Sequence, residues 1–207
     1  MHRFFDAANA ITLLGLTAAV LGGACSMRGR LAWAAALLVV SGLCDLFDGF
    51  VARKLTRTDV QKTFGARLDT IVDVCAFGMA PSVLLQAAGL TRPWELVVVV
   101  VFVACAAWRL AYFEAVGLST EPGGKRTFTG LPTTFTALAI PTACLFGFRS
   151  AEALRLALTV TAAGLAVAMV SPVKVPKPGG VWYAILSLVA VGLIVAFVVG
   201  ADRFPAS

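Results

Sequence analysis

Seven apolar runs of roughly membrane-spanning length crowd into 207 residues. They fall near 8–25, 31–51, 66–90, 93–115, 129–147, 152–171 and 181–200. Crossing the hydrocarbon as a helix takes about 20 residues, and the fifth run is a little short of that. Little chain is left between the runs to build anything soluble. Only 14% of residues are charged and the mean hydropathy is +0.90, whereas a soluble domain is about a quarter charged. The expectation is an all-α polytopic membrane helix bundle forming one integral-membrane catalytic domain, 1–207. A six-helix core would cover about 8–171, with an additional C-terminal span over about 181–200. The first run follows Asp6 and lacks a processing site, so it is expected to stay as a transmembrane helix.

The net charge of +6 does not point to nucleic acid, because no basic face with interleaved aromatics exists. The basic residues sit in short connections instead. Arg53, Lys54, Arg57 and Lys62 lie in 52–65, Lys125 and Arg126 in 116–128, and Lys174 and Lys177 in 172–180. The positive-inside rule assigns these connections to the cytoplasm. Cys25, Cys44, Cys75, Cys105 and Cys144 lie in or beside apolar runs without a CxxC spacing. They read as small core residues, not as disulfides or zinc ligands.

Against this background four aspartates stand out: Asp45-x-x-Asp48-Gly49-x-x-Ala52-Arg53, then Gly65-x-x-x-Asp69-x-x-x-Asp73. An aspartate at membrane depth costs roughly 3 kcal/mol on insertion scales. Spacings of three and four put each pair on one helix face. Asp45 lies seven residues before Ala52 and Asp73 eight after Gly65. At ~1.5 Å per residue both lie about 10–12 Å from the connection, so the pairs can meet at one depth. Four carboxylates in a low dielectric suit two hard divalent ions, Mg²⁺ or Mn²⁺, which clamp a phosphoryl group during displacement. Gly49 and Gly65 leave room for close approach, and Arg53 offers a planar donor fork for phosphate. Two other readings use the same residues: structural pairing with Arg53, Arg67 or Arg109, and a carboxylate-lined cation transporter.

As spaced, these residues resemble the signature of the CDP-alcohol phosphotransferases, D-x-x-D-G-x-x-A-R followed by G-x-x-x-D-x-x-x-D. The resemblance implies a six-helix core with a polar cavity open to the cytoplasm and the membrane. It implies transfer of a phosphoryl-bearing group from a CDP-linked donor to an alcohol, with release of CMP. Asp45, Asp48 and Asp69 match metal ligands, and Asp73 matches a fourth ligand and general base. Gly49, Ala52, Arg53 and Gly65 match positions that line the CDP site together with Asp45 and Asp69. Asn9 and Thr12 resemble the first-helix P-N-x-I-T element, with Ala8 in place of the proline. A homodimer is usual in such a family, and Gly15, Gly22, Gly23 and Ala34 to Ala36 would permit close helix packing.

Further stretches resemble the phosphatidylserine synthases of that family: Asp69-Thr70-Ile71-Val72-Asp73, Phe77-Gly78-Met79-Ala80-Pro81, Arg109-Leu110-Ala111-Tyr112-Phe113, Phe128-Thr129-Gly130-Leu131-Pro132 and Met169-Val170-Ser171. The implied donor is CDP-diacylglycerol and the implied acceptor L-serine. Inositol phosphate, glycerol phosphate or another small alcohol is the alternative acceptor. The chain departs from the pattern at Thr70, Tyr112 and Glu114, where serine, arginine and asparagine are expected, and these departures bear on the acceptor. Serine's carboxylate needs a cation, for which Arg109, Lys125 and Arg126 are candidates. Arg109 also reads as a counter-ion for Glu114 or an interface snorkel, and Lys125 and Arg126 as topology signals.

Overall fold

The computed structural model describes residues 4–117, 119–120, 126–148, 150–176 and 181–201. Its helices are α1 (Ala7–Ser26), α2 (Leu31–Ala52), α3 (Asp59–Asp73), α4 (Ala80–Ala87), α5 (Pro93–Val116), α6 (Thr136–Cys144), α7 (Ala151–Val170) and α8 (Val181–Val199). Capping side chains set where several of them begin. The Asp6 carboxylate accepts the Asn9 N–H at 3.0 Å to start α1, and Ser150 does the same for α7 through Ala153 at 3.1 Å. Thr58 and Gln61 cap α3 reciprocally, satisfying backbone donors that an uncapped end would leave free. This polar cap starts α3 well before the apolar run, at Asp59 and not near 66 as the hydropathy predicts.

α3 passes into α4 through a wider π-helical segment, Val74–Met79, in which the Ala80 N–H reaches back five residues to the Cys75 carbonyl. Pro81 follows at once in α4. A proline has no N–H to give to a carbonyl one turn back, and the widened turn accommodates that loss. The helix axis therefore continues from Asp59 to Ala87 as one span of 29 residues.

Six helices among the described residues are long and apolar enough to cross a membrane. The predicted fifth span, 129–147, is corrected in form: it leads from the end of the bundle that holds strand β2 (Arg126–Thr129) to the opposite end, where α7 begins, but not as one long helix. Its first residue belongs to β2, and the helix proper covers only Thr136–Cys144, flanked by 3₁₀ turns and containing Pro141. Gly130 makes the break between strand and helix. It has φ +76°, and a Cβ there would lie 2.2 Å from the Met169 carbonyl oxygen, so only glycine fits.

The core forms where small residues let helices meet. α1 packs along α2, with Gly15 against Cys44 and Gly22 against Ala34; Gly23, by contrast, faces open space. α5 packs on α7, and α8 on α2. Phe77, Leu85, Phe102, Ile140 and Leu158 are fully buried between them. The five cysteines are all free. Large apolar side chains on the outer faces, such as Val100, Leu156, Val167 and Leu188, are exposed, as lipid-facing positions of a membrane bundle should be.

The connections after α5 and α7 join in one small antiparallel sheet. β1 (Ser119–Thr120) pairs with β2, and β2 with β3 (Lys174–Pro176) in the register Thr127↔Pro176, Phe128↔Val175 and Thr129↔Lys174. These two connections thus share one end of the bundle, as the charge pattern requires. At the opposite end Glu95, in the first turn of α5, accepts the Arg92 N–H at 3.0 Å and is ion-paired with Arg155 of α7 at 3.2 Å.

Candidate active site

The last turns of α2 and the last turns of α3 carry the four aspartates toward one another. One carboxylate oxygen from each of Asp45, Asp48 and Asp69 lies within 4.8 Å of the others. Asp48 is 6% exposed and Asp73 is buried. The Thr12 hydroxyl of α1 donates to Asp48 Oδ2 at 2.5 Å, which fixes the orientation of that carboxylate. The Asp73 and Asp45 carboxyls face each other closely enough to interact.

This donor set fits a hard divalent cation. It offers oxygen atoms alone, drawn from two rigid helices and close enough for one ion to bridge. Asp45, Asp48 and Asp69 can hold a metal ion, and Asp73 borders them.

Two pockets meet at this cluster. The smaller is lined by Asn9, Thr12, Asp48, Gly49, Ala52, Arg53, Arg57, Gly65 and Asp69. It therefore assembles every predicted nucleotide-site residue except Asp45, which stands on the other side of the cluster. Gly65 keeps this corner open: a Cβ there would lie 3.1 Å from both Arg57 Nη1 and Asn9 Oδ1, so those side chains would have to give by a few tenths of an ångström.

Arg57 is the residue that sequence reasoning missed here. Read only as a topology charge, it folds back onto α1. Its Nη2 donates to Asp6 Oδ1, and to Asn9 Oδ1 at 3.3 Å. Its side chain is almost buried. Burial pushes the Asp6 carboxyl up, but the Asn9 N–H and the Arg57 guanidinium more than offset it and hold the group below the usual carboxylate range. The pairing spans 51 residues of sequence and leaves no local pattern to find.

The pocket of larger extent is an open cleft of about 1450 Å³, counting the solvent space at its mouth. Asp45, Asp69, Thr70, Asp73, Arg109 and Glu114 line its polar part, and Leu43, Leu138, Tyr183, Leu186 and Ala190 an apolar part. Tyr183, Leu186 and Ala190 form one stripe of α8, so the additional C-terminal helix is a wall of this cleft. Sequence reading gave α8 no such role.

Arg109 is 6% exposed. It lies over the rings of Phe113 and Phe128, 5.2 and 5.6 Å from their centroids, and acts electrostatically on Asp73 and Asp45. Both alternative readings of this arginine are corrected. It is too buried to snorkel. The contacts of Glu114 are to other residues: Thr70 donates to its Oε1 at 3.0 Å, and Arg67 Nε lies 3.7 Å from its Oε2. Lys125 lies outside the described residues. Arg126 begins β2, but its side chain is likewise outside the description.

Comparison with known proteins agrees with this geometry. The family model of CDP-alcohol phosphatidyltransferases matches residues 5–170. The archaetidylserine synthase of Methanothermobacter thermautotrophicus is 31% identical over 86% of this chain and 72% of its own length. The CDP-diacylglycerol–serine O-phosphatidyltransferase of Methanocaldococcus jannaschii is 34% identical over 68% of this chain and 62% of its own. That of Bacillus subtilis is 30% identical over 69% of this chain and 74% of its own. The family match takes in α1 to α7 and all four aspartates and leaves out α8. This integral-membrane chain belongs to the CDP-alcohol phosphatidyltransferase family.

Proposed function

We propose that this protein transfers a phosphatidyl group from CDP-diacylglycerol to the hydroxyl of L-serine, giving phosphatidylserine and CMP. The observation that carries this reading is the position of the carboxylate cluster, where a small polar pocket meets a larger cleft with an apolar wall. A nucleotide, a pyrophosphate and a lipid tail need those three environments in that order.

In this reading Asn9, Thr12, Gly49, Ala52, Arg53 and Gly65 hold the CDP portion, with Asp45 and Asp69 at its pyrophosphate. Arg57 braces Asn9 from behind. Two divalent ions, Mg²⁺ or Mn²⁺, held by Asp45, Asp48, Asp69 and Asp73, supply charge neutralisation for the pyrophosphate and the leaving CMP. Asp73 accepts the proton of the serine hydroxyl as its oxygen attacks the β-phosphorus. The bond from that phosphorus to the bridging oxygen breaks, and CMP carries the electron pair away. A carboxylate is a weak base for an alcohol, so fixed positioning supplies much of the acceleration. Arg109 takes the serine carboxylate, with Lys125 and Arg126 as further cations at that end. The acyl chains lie along the apolar wall that α2, α6 and α8 provide. The whole chain, 1–207, acts as one catalytic domain, as a homodimer, with its site facing the cytoplasm.

An archaetidyl donor is the second reading, favoured by the likeness to archaetidylserine synthase over most of the chain. The deciding measurement is CMP release by the detergent-purified protein with Mn²⁺ or Mg²⁺, one CDP-linked lipid and one alcohol at a time. Serine-dependent release that is lost in Asp73→Asn is expected. Release only with inositol phosphate, glycerol phosphate or another alcohol would overturn serine and keep the chemistry.

A further inference from the structure

Glu114 is a carboxylate in the wall of the larger cleft, beside groups that are themselves negative. It acts electrostatically on Asp69, and its company is thin. Arg67 approaches it at 3.7 Å but is itself 71% exposed. Thr70 donates to Glu114 Oε1 at 3.0 Å and is equally close to the Ala66 carbonyl at 3.0 Å. One hydroxyl proton cannot fully serve both. The lone pairs of the Thr70 oxygen and most of those of Glu114 therefore remain available. Among the described residues this corner of the cleft is rich in acceptors and poor in donors.

A group with several N–H donors and a positive charge fits it. Thr70 stands three residues before Asp73, on the same helix face, so a ligand held at Thr70 keeps its neighbouring atoms near Asp73. Arg109 lies five residues before Glu114 on α5, and its buried Nε has no partner among the described residues. Both Arg109 and Glu114 line the cleft, one offering donors and the other acceptors, which is what the carboxylate and ammonium of an α-amino acid require.

We propose that Glu114 and Thr70 form the subsite for the acceptor's ammonium group, and that Glu114 sets the preference for an amino acid over an alcohol lacking that charge. The subsite rests on the serine reading above. Arg109, Asp73 and the Glu114–Thr70 corner then hold carboxylate, hydroxyl and ammonium respectively, which orients the hydroxyl and rejects acceptors that leave Glu114 unpaired.

The test uses the full chain in detergent with Mn²⁺, measuring CMP release with L-serine and with glycerate, which replaces the ammonium by a hydroxyl. In Glu114→Gln the KM for serine should rise about 10-fold or more, the loss expected for a charge-assisted hydrogen bond, with kcat within about threefold of the parent. The serine-to-glycerate preference should fall with it. Glu114→Asp, which keeps the charge, should restore part of the affinity. Arg67→Gln should keep the preference, because the pairing it removes is not the one that selects. CDP binding on the same preparations reports an intact site, and Glu114→Asp carries the test if Glu114→Gln fails that check. A serine KM unchanged in Glu114→Gln, an equal loss with both acceptors, or the same loss in Arg67→Gln would overturn the subsite alone. No serine-dependent release by the parent protein would overturn the serine reading, and the subsite with it.

Discussion

Two ends of this bundle bury charge, and they do so in opposite ways. At the far end Glu95 is fully buried, but its charge is matched by Arg155 across the α5–α7 contact and its second role is to cap α5. The account there is closed: one negative, one positive, both used in holding helices together. At the aspartate end Asp45, Asp48, Asp69 and Asp73 converge, and among the described residues none of the four has an ion pair: Arg109 acts on Asp45 and Asp73 from a distance, and Arg57, which also acts on Asp48, is paired with Asp6. A surplus of like charge weakens a fold. A balanced buried pair is therefore explained by packing, whereas an unbalanced cluster calls for a ligand that supplies the missing positive charge.

Removing a carboxylate from each end should have opposite consequences. Asp69→Asn should lower CMP release by about a thousandfold, the scale for loss of a preorganised electrostatic group. Its thermal unfolding in divalent-free detergent should shift upward, because one repelling charge is gone. A fall in melting temperature there would erase the contrast. Glu95→Gln should leave the KM for the CDP-lipid unchanged and destabilise the protein by about 2–3 kcal/mol, somewhat under the usual cost of breaking a buried pair because Arg155 is partly exposed. A double-mutant cycle with Arg155→Gln measures the coupling. A large activity loss with stability kept would show that the far end also serves chemistry.

The smallest effect concerns the Asp6–Arg57 brace at the aspartate end. Asp6→Asn should raise the KM for the CDP-lipid several-fold by loosening Arg57 and Asn9. The folded-state carboxyl of Asp6 titrates below its ordinary value, so the unfolded chain binds this proton more readily. Its contribution is thus complete above the ordinary carboxylate range and is lost as pH falls through the lowered value. The melting-temperature difference between parent and Asp6→Asn should stay constant from about pH 8 to 5 and shrink only below about pH 4. A difference that fades already near neutrality would mean that Asp6 is not the partner that holds Arg57.

Much of this was legible in the sequence because it is periodic. Spacings of three and four between aspartates survive folding into helices unchanged, and the apolar runs locate most helices to within a turn. What was not legible depends on partners distant in sequence. Glu114 read as a neighbour of Arg109 five residues away, yet its hydroxyl partner, Thr70, is 44 residues away on α3. Arg57 read as a loop charge for the same reason. The fifth span differs in form: apolar composition does not show that this crossing is broken into the end of β2, 3₁₀ turns and a short proline-bearing helix. The start of α3 failed because its cap is polar and hydropathy does not register capping.

The π segment after Asp73 has a consequence for how this helix can change. Each widened turn holds back the angular advance of the chain, so residues beyond Met79 are rotated relative to those before Val74. The stretch acts as a phase shifter between two working faces, one presenting carboxylates and the other burying Leu84 and Leu85. Either face can exchange side chains without disturbing the other. Losing a single residue from the segment would bring the faces back into step and turn one of them away from its target. The helix is thus permissive in letters and strict in count, a constraint on alignment gaps that no single side chain carries.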